Sequence, residues 1–235
     1  MEIGKDIIGI VGGMGSYATL NIFERILNAF DGKMEWDRPH IIIDNNCTLP
    51  SRSRALLYNE HRDTVVNGLA DSVRHLMAFG ANIILLGSNT AHLFLDEILQ
   101  LVPSSAPYIL NIVEKCAESV AKASVKSVLL LGTDATVDLG MYKRIFAAHG
   151  IEISVPPLDR QAEVVEFIET VKQNRVTEQS ADSFAKFLSD ADAESIVLGC
   201  TELPVLYEKH LRKNGKIDKR IFDPIDSIIQ FLKGE

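Results

Sequence analysis

Residues 81–90 read Ala-Asn-Ile-Ile-Leu-Leu-Gly-Ser-Asn-Thr, and residues 193–202 read Ala-Glu-Ser-Ile-Val-Leu-Gly-Cys-Thr-Glu. Each segment is a short apolar run that ends in glycine, a residue with a nucleophilic side chain and a polar pair typical of a helix start. The two reactive residues, Ser88 and Cys200, are 112 positions apart (200 − 88). An internal repeat at this spacing predicts that the chain has two similar halves, each with one reactive group.

Short strands alternate with longer amphipathic helices in both halves, which is typical of parallel sheets built from strand–helix–strand units. In the first half we predict strands at 6–11, 39–44 and 83–86, the second of them buried, and helical stretches over 16–30 and 56–79. In the second half we predict strands at 126–131, 151–155 and 195–198, helices over 141–149, 161–173 and 181–188, and a terminal helix over 221–232.

This order predicts an α/β protein with two similar flavodoxin-like, doubly wound parallel-sheet domains related by pseudo-two-fold symmetry. We expect one domain over residues 1–113 together with the returning segment 208–235, and the other over 114–207. Ligands of open parallel sheets bind beyond the carboxyl ends of the strands. We therefore expect a shared cleft between the domains, lined by the loops at 12–15, 45–46, 87–88, 132–133 and 199–200.

Composition limits the class of protein. A formal net charge of -8 argues against a nucleic-acid binder, which usually carries a basic patch. No apolar run approaches the roughly 20 residues of a membrane span, and the first residues enter a predicted strand without a signal-peptide pattern. The three cysteines, Cys47, Cys116 and Cys200, form neither a disulfide framework nor a metal clamp. We therefore expect a cytoplasmic protein without a metal or a membrane partner.

Cys200 lies where a predicted strand passes into a helix start. Unpaired N–H groups and the helix dipole at such a position lower the pKa of a thiol from its usual value of about 8.5. The resulting thiolate takes a proton from carbon or acts as a nucleophile. A cysteine after an apolar strand is also often only a small buried residue, but the Gly-Cys-Thr-Glu-Leu-Pro context at 199–204 favours a function.

Three stretches resemble the signature motifs of the aspartate/glutamate racemase family: Gly-Gly-Met-Gly-Ser-Tyr-Ala-Thr at 12–19, Ser-Asn-Thr-Ala-His at 88–92 and Gly-Cys-Thr-Glu-Leu-Pro at 199–204. The resemblance covers essentially the whole chain. It implies an isomerase that inverts an acidic amino acid without pyridoxal phosphate or another cofactor, and that forms homodimers. In that family one cysteine of each half acts on one face of Cα.

Cys200 matches the second-half cysteine of the family, whereas Ser88 stands where the first is expected. An alcohol is a poor base near neutral pH, because proton transfer works best when the pKa lies near the operating pH. Three interpretations remain open: a natural variant that works well on one enantiomer only, a related one-cysteine enzyme, or a serine engineered in place of a native cysteine. The one-cysteine enzymes include decarboxylases and isomerases of malonate- or maleate-like dicarboxylates.

The resemblance also implies which side chains hold the substrate's charges. Arg52 matches the family arginine that clamps a carboxylate, and its fork suits bidentate pairing. Arg54 is either a second clamp or a decoy, and Lys172 resembles the family lysine that contacts a carboxylate near the cysteine. Without the resemblance, each would be interpreted as a solvated helix-surface residue.

Further candidates surround the two reactive positions. The substrate α-carboxylate is expected on backbone amides at the two helix starts, which would also stabilise the enolate-like charge. Thr133 and Thr136 either line the cleft or cap a helix. The full set of further candidates is Met14, Asn89, Thr90 and Thr201 for substrate binding, and His92, Glu202 and Thr133 as supporting residues. Cys47 lies near a strand end, and Cys116 is interpreted as a packing residue of a helix.

One rival interpretation concerns the turn at 13–18, Gly-Met-Gly-Ser-Tyr-Ala, which fits the dinucleotide fingerprint GxGxxA of an oxidoreductase. The acidic residue expected about 20 positions later is misplaced, because Asp44 follows Gly15 by 29 residues. A tight strand-to-helix turn explains these glycines without a nucleotide.

Overall fold

The computed structural model describes residues 1–30, 32–215 and 217–235. The chain divides into two compact units. Unit 1 comprises Met1–Ile112 and Ile228–Glu235, and unit 2 comprises Val113–Ser227. Each unit contains one four-stranded parallel sheet with helices packed around it.

The elements of unit 1 begin with a central strand and its flanking helix. The strands are β1 (Ile7–Gly12), β2 (His40–Asn45), β3 (Ile83–Leu86) and β4 (Ile109–Leu110). The α-helices are α1 (Ser16–Ala29), α2 (Arg52–Tyr58), α3 (Arg62–Ala78) and α4 (Leu95–Leu101). Short 3-10 segments lie at Glu35–Asp37, Asn89–Phe94 and Pro103–Ser105.

Helix α5 (Ile112–Lys122) leads into unit 2. The strands of unit 2 are β5 (Ser127–Leu131), β6 (Glu152–Ser154), β7 (Ser195–Leu198) and β8 (Arg220–Phe222). Its further helices are α6 (Asp134–Asp138), α7 (Met141–Ala148), α8 (Leu158–Lys172), α9 (Glu178–Ser189) and α10 (Leu203–Asn214), and α11 (Pro224–Lys233) ends the chain. Within the described ranges, no helix combines the length and apolar character needed to cross a membrane.

The two sheets have the same strand order, β2-β1-β3-β4 in unit 1 and β6-β5-β7-β8 in unit 2. All neighbouring strands are parallel, so the prediction of two doubly wound α/β domains is confirmed. The two copies of the sequence repeat form β3 and β7, which occupy the same place in their sheets. Their carboxyl ends lie beside those of β1 and β5, where open sheets bind ligands.

Buried apolar side chains at helical spacing hold the helices on the sheets. In unit 1, Val65, Leu69, Val73 and Leu76 of α3 belong to a core cluster with residues of β1 and β3. In unit 2, α8 and α9 contribute Val164, Ile168, Val171, Phe184 and Leu188 to a cluster with residues of β5 and β7. Burying one such side chain stabilises the fold by about 1.5–3 kcal/mol, so these helices fix the strands firmly.

Equivalent hydrogen bonds fix the ends of β3 and β7. The N–H of Gly87 donates to the carbonyl of Val11 over 2.8 Å, and the N–H of Gly199 donates to the carbonyl of Leu131 over 2.6 Å. A Cβ on Gly87 would lie 2.9 Å from the Val11 oxygen, and one on Gly199 would lie 3.0 Å from the Leu131 oxygen. Both positions therefore need glycine, and each places the next residue at the carboxyl edge of its sheet.

Two sequence predictions about unit 1 are wrong. The strand predicted as buried, now β2, has only partly buried or exposed residues, because it is an edge strand with one neighbour. The single helical stretch predicted over 56–79 is divided into α2 and α3. Asn59 and His61, with φ of 58° and 53°, adopt the left-handed conformation that interrupts the helix.

The returning segment also differs from the prediction. The segment 221–232 is not one helix, since β8 precedes α11 and Pro224 occupies the first helical position of α11. The expected return at residue 208 is too early. Helix α10 packs against α8 and α9, and β8 pairs with β7, so only Ile228–Glu235 belongs to unit 1.

Candidate active site

Cys200 follows the glycine that ends β7, and its thiol contacts a carboxylate. The residue is 7% exposed, and its Sγ–H donates to Oε2 of Glu202 over 2.9 Å. The same oxygen accepts a longer hydrogen bond, 3.4 Å, from the hydroxyl of Thr201. Glu202 is the N-cap residue of α10, yet its side chain makes no capping hydrogen bond. The carboxylate therefore serves the thiol rather than the helix.

The surroundings of Cys200 favour its protonated form. Burial raises the pKa of the Cys200 thiol well above its usual range, the negative charge of Glu202 raises it further, and the positive charge of Lys172 opposes them. The predicted lowering of this pKa by a helix N-terminus is therefore wrong. Helix α10 begins only at Leu203, and a buried carboxylate lies next to the sulfur. In the free protein, Cys200 is a proton donor.

Lys172 brings a positive charge to the same place. It is the last residue of α8, and its Nζ lies 2.9 Å from Oε1 of Glu169. Burial lowers the pKa of Lys172, but a Cys200 thiolate, the hydrogen bond to Glu169 and the negative charges of both glutamates raise it, so the pKa is raised overall. Lys172 thus stays charged within electrostatic reach of Cys200.

The second carboxylate oxygen of Glu202 is available to a ligand. Glu202 is 2% exposed, and within the described part of the chain its Oε1 has no hydrogen-bond partner. A buried polar atom without a partner is uncommon in folded proteins and is costly. An ammonium group would satisfy this oxygen.

Ser88 occupies the matching place in unit 1, directly after the glycine that ends β3. It is 7% exposed with an extended backbone, φ −148° and ψ 129°. Its hydroxyl makes no hydrogen bond with any residue that the structure describes. The hydroxyl is therefore available for a ligand, as is the side chain of the next residue.

Asn89 and Thr90 begin the 3-10 segment that follows Ser88. Asn89 is 2% exposed, and neither its Oδ1 nor its Nδ2 has a hydrogen-bond partner among the described residues. The first N–H groups of a helical segment also lack intrahelical partners. Together these donors suit a carboxylate. Thr90 is buried beside them.

Arg52 is held at the carboxyl edge of the unit 1 sheet by backbone oxygens. It begins α2, and its guanidinium donates to the carbonyl of Met14 over 3.0 Å and to that of Pro50 over 3.2 Å. The structure thus places Arg52 and the buried Met14 together. Arg54 forms a surface ion pair with Glu60, with two hydrogen bonds of 2.6 Å. Arg54 therefore already has a carboxylate partner, Glu60, within the protein.

The remaining candidates have structural partners. Thr133 caps α6 by accepting the N–H of Thr136, so the capping interpretation is the correct one. Cys47 is exposed, with its Sγ 3.0 Å from the hydroxyl of Ser16. Cys116 is buried in α5, and burial raises the pKa of its thiol. His92 is buried beside the turn that carries Ser88.

Sequence reasoning missed two residues that support the unit 2 site. Glu169 holds Lys172, and its i, i+3 spacing on a helix was the available signal. Gln161 donates to the carbonyl of Gly132 over 3.0 Å and to Asp134 over 2.9 Å, which fixes the loop after β5. No spacing signal identifies that contact. Among the described residues, no group of three metal-ligating side chains could hold a metal ion.

The chain is similar to known amino-acid racemases. The sequence model of the Asp/Glu/Hydantoin racemase family matches residues 11–232. The broad specificity amino-acid racemase RacX of Bacillus subtilis is 26% identical over 203 residues, which cover 84% of this chain and 86% of the relative. A glutamate racemase of Lactobacillus johnsonii is 29% identical over 198 residues, covering 81% of this chain and 68% of that protein.

Solved structures share the fold. Picrophilus torridus aspartate racemase superposes with a TM-score of 0.81 at 26% identity, covering 97% of this chain and 93% of that one. A glutamate racemase of Francisella tularensis, solved with D-glutamate, gives a TM-score of 0.65 at 18% identity, covering 98% of this chain and 80% of that chain. At 18% identity, the similarity to the Francisella tularensis protein shows a shared fold only.

Proposed function

Because the chain belongs to the Asp/Glu/Hydantoin racemase family, we propose that it racemises an acidic amino acid, aspartate or glutamate. The reaction removes the α-proton from one face of Cα and returns a proton to the other. The observation that carries this proposal is the hydrogen-bonded pair of Cys200 and Glu202 at the end of β7. A thiol and a carboxylate in contact can exchange one proton and so alternate between acid and base.

Cys200 works on one face of Cα. Glu202 accepts the thiol proton at Oε2, and the thiolate then takes the α-proton of the substrate. The charge left on the substrate spreads into its α-carboxylate. We propose that backbone amides at the two helix starts, near Asn89 and near Glu202, stabilise that charge. These donors replace the stabilisation that a cofactor would supply, so the proposed reaction needs none.

Ser88 works on the opposite face. Its hydroxyl delivers a proton to the carbanion directly or relays one from solvent, which is an easier task for an alcohol than abstraction. Arg52 and Lys172 hold the two substrate carboxylates, and Oε1 of Glu202 accepts the substrate ammonium. We also propose that the protein acts as a cytoplasmic homodimer.

Proton NMR in D2O tests this function. L- and D-aspartate and L- and D-glutamate are each incubated with the protein, and Cα deuteration is followed alongside chiral product analysis. We expect deuteration and inversion with at least one amino-acid pair, with deuteration faster than inversion because Ser88 is the weaker partner. No deuteration of any of the four amino acids would contradict an acidic amino-acid racemase.

A second function of the same site is favoured by one observation. The first reactive position carries a hydroxyl, and that hydroxyl makes no hydrogen bond with a described residue. A one-cysteine decarboxylase or isomerase of a malonate- or maleate-like dicarboxylate needs only Cys200. Consumption of malonate or maleate, with no deuteration of the amino acids, would identify this alternative.

The charges around Cys200 predict the pH dependence of exchange. The negative Glu202 raises the pKa of the thiol, and the positive Lys172 lowers it. We therefore expect Glu202→Gln to shift the rising limb of the exchange-rate profile to lower pH, and Lys172→Met to shift it to higher pH. The measurement is the rate of α-deuteration between pH 6 and pH 10, within the stability range of each variant.

Glu166→Gln is the control for these variants, because Glu166 is exposed on the same helix as Lys172. Its profile should coincide with that of the unmodified protein. If Glu202→Gln moves the limb to higher pH instead, the charge and the hydrogen bond of Glu202 do not raise the pKa of the thiol. The predicted electrostatic control of Cys200 by Glu202 would then be wrong.

A further inference from the structure

Both ring nitrogens of His92 are occupied by the main chain of unit 1. The residue is 5% exposed, with Nδ1 lying 3.1 Å from the carbonyl oxygen of Ser88, and Nε2 accepts the N–H of Ile112 over 3.4 Å. A carbonyl only accepts and a backbone N–H only donates, so the ring carries its single proton on Nδ1. Burial lowers the pKa of His92 to about 4, although the backbone carbonyls of Ser88, Leu110 and Asn89 oppose it. The ring is therefore neutral near neutral pH.

This ring orients the peptide group between Ser88 and Asn89. The Ser88 carbonyl accepts from His92 and also from the N–H of Ala91 over 3.1 Å. A peptide group is planar and trans, so its N–H points opposite to its C=O. The N–H of Asn89 is thus turned away from His92, and it makes no hydrogen bond with any residue that the structure describes.

The other ring nitrogen, Nε2, connects the Ser88–Asn89 peptide group to the backbone of Ile112. Ile112 is the last residue of the first segment of unit 1 and the first residue of α5. It is fully buried, as is Phe94 at the end of the 3-10 segment that contains His92. A ring held at both nitrogens in a buried setting cannot turn without breaking a hydrogen bond. The Ser88 peptide group is therefore fixed with respect to the start of α5.

We infer that His92 is a positioning residue, which holds the Ser88 carbonyl so that the N–H of Asn89 faces the substrate carboxylate. The inference rests on the proposed function, in which this amide stabilises the charge that develops on the substrate. His92 itself gives no proton to the substrate and does not touch it. Its proton on Nδ1 acts only on the main chain.

Three substitutions separate the two hydrogen bonds. An asparagine amide nitrogen takes the place of Nδ1, so His92→Asn retains the donor to Ser88. A glutamine amide takes the place of Nε2, so His92→Gln retains the contact with Ile112, and His92→Leu retains neither. We expect kcat/KM to fall by about 10- to 100-fold in the glutamine and leucine variants, within the range measured for losing an oriented oxyanion donor or somewhat below it. In the asparagine variant we expect a fall of about threefold or less.

Two further measurements make the outcome decisive. His75→Asn, on the exposed surface of α3, should leave kcat/KM unchanged. In the unmodified protein, nitrogen NMR of labelled histidine should show the His92 proton on Nδ1, whether or not any amino acid is racemised. A proton on Nε2, or an asparagine variant as impaired as the leucine variant, would overturn the positioning role. Absence of racemisation together with a proton on Nδ1 would overturn the proposed function and leave the main-chain role of His92 intact.

Discussion

Replacing Cys200 with serine is expected to lower the rate of α-proton exchange by about 10²- to 10⁴-fold, the range that a positioned acid–base group contributes. The pKa of an alcohol lies far above that of a thiol, so Glu202 cannot generate the corresponding alkoxide. The substitution replaces one sulfur atom with one oxygen atom. The new hydroxyl can still donate to Glu202, whose Oε2 lies 2.9 Å from the sulfur in the unmodified protein. The fold should therefore be unchanged. Deuteration of the α-position in D2O measures the loss, and thermal unfolding verifies the fold.

Cys47→Ser is the matched control for this prediction. Cys47 is exposed, and its sulfur contacts Ser16 and Asn45 rather than a carboxylate. The control should retain the exchange rate of the unmodified protein. If Cys200→Ser exchanges the α-proton as fast as the control, Cys200 is not the base, and the proposed mechanism fails at its first step.

Replacing Ser88 with cysteine is expected to raise the rate of inversion by about 100-fold, at the lower end of the contribution of one acid–base group. A thiol on the Ser88 face both removes and delivers protons near neutral pH, whereas a hydroxyl does both poorly. The rate of exchange from the Cys200 face should change little. The ratio of inversion to exchange, measured by chiral chromatography and NMR on one reaction mixture, should therefore approach one.

Ser88→Ala is the control at the same position. It removes the donor and should leave exchange at the Cys200 face while inversion becomes undetectable. The ratio is the correct readout, because the two enantiomers of a free amino acid have equal free energies. The overall kcat/KM must therefore be the same in both directions. If cysteine and alanine at position 88 give the same ratio, residue 88 does not act on the substrate, and the one-cysteine alternative gains support.

Features that depend on local sequence were predictable. The strands at 83–86 and 195–198 have the predicted limits, because each is an apolar run closed by a glycine. The equivalence of the two halves also follows from the repeat that carries these strands. The burial of β2 was not predictable in this way. Burial depends on which strand lies at the edge of the sheet. The sequence of β2 is as apolar as that of an inner strand, so it does not show that β2 is an edge strand.

The candidate site also contains features that the sequence predicts and features that it does not. The sequence left Arg54 as either a second clamp or a decoy beside Arg52, and the ion pair of Arg54 with Glu60 favours the decoy. The pKa of Cys200 was predicted in the wrong direction, because the thiol is buried and because the side chain of Glu202 turns back to the sulfur instead of capping α10. The contact of Glu202 with Cys200 depends on a side-chain rotamer and has no signal in residue spacing, whereas the glycines that end β3 and β7 are visible in the sequence.

Among the described residues, the hydrogen bonds made by Ser88 involve its main chain. The N–H of Gly87 donates to the carbonyl of Val11, and His92 and Ala91 donate to the carbonyl of Ser88. The Ser88 side chain makes none of these hydrogen bonds. The identity of residue 88 can therefore change without a cost to the scaffold, and the position of the group stays constant. Under the proposed mechanism, a single substitution at position 88 therefore changes the chemistry available on that face of the substrate while the fold stays the same.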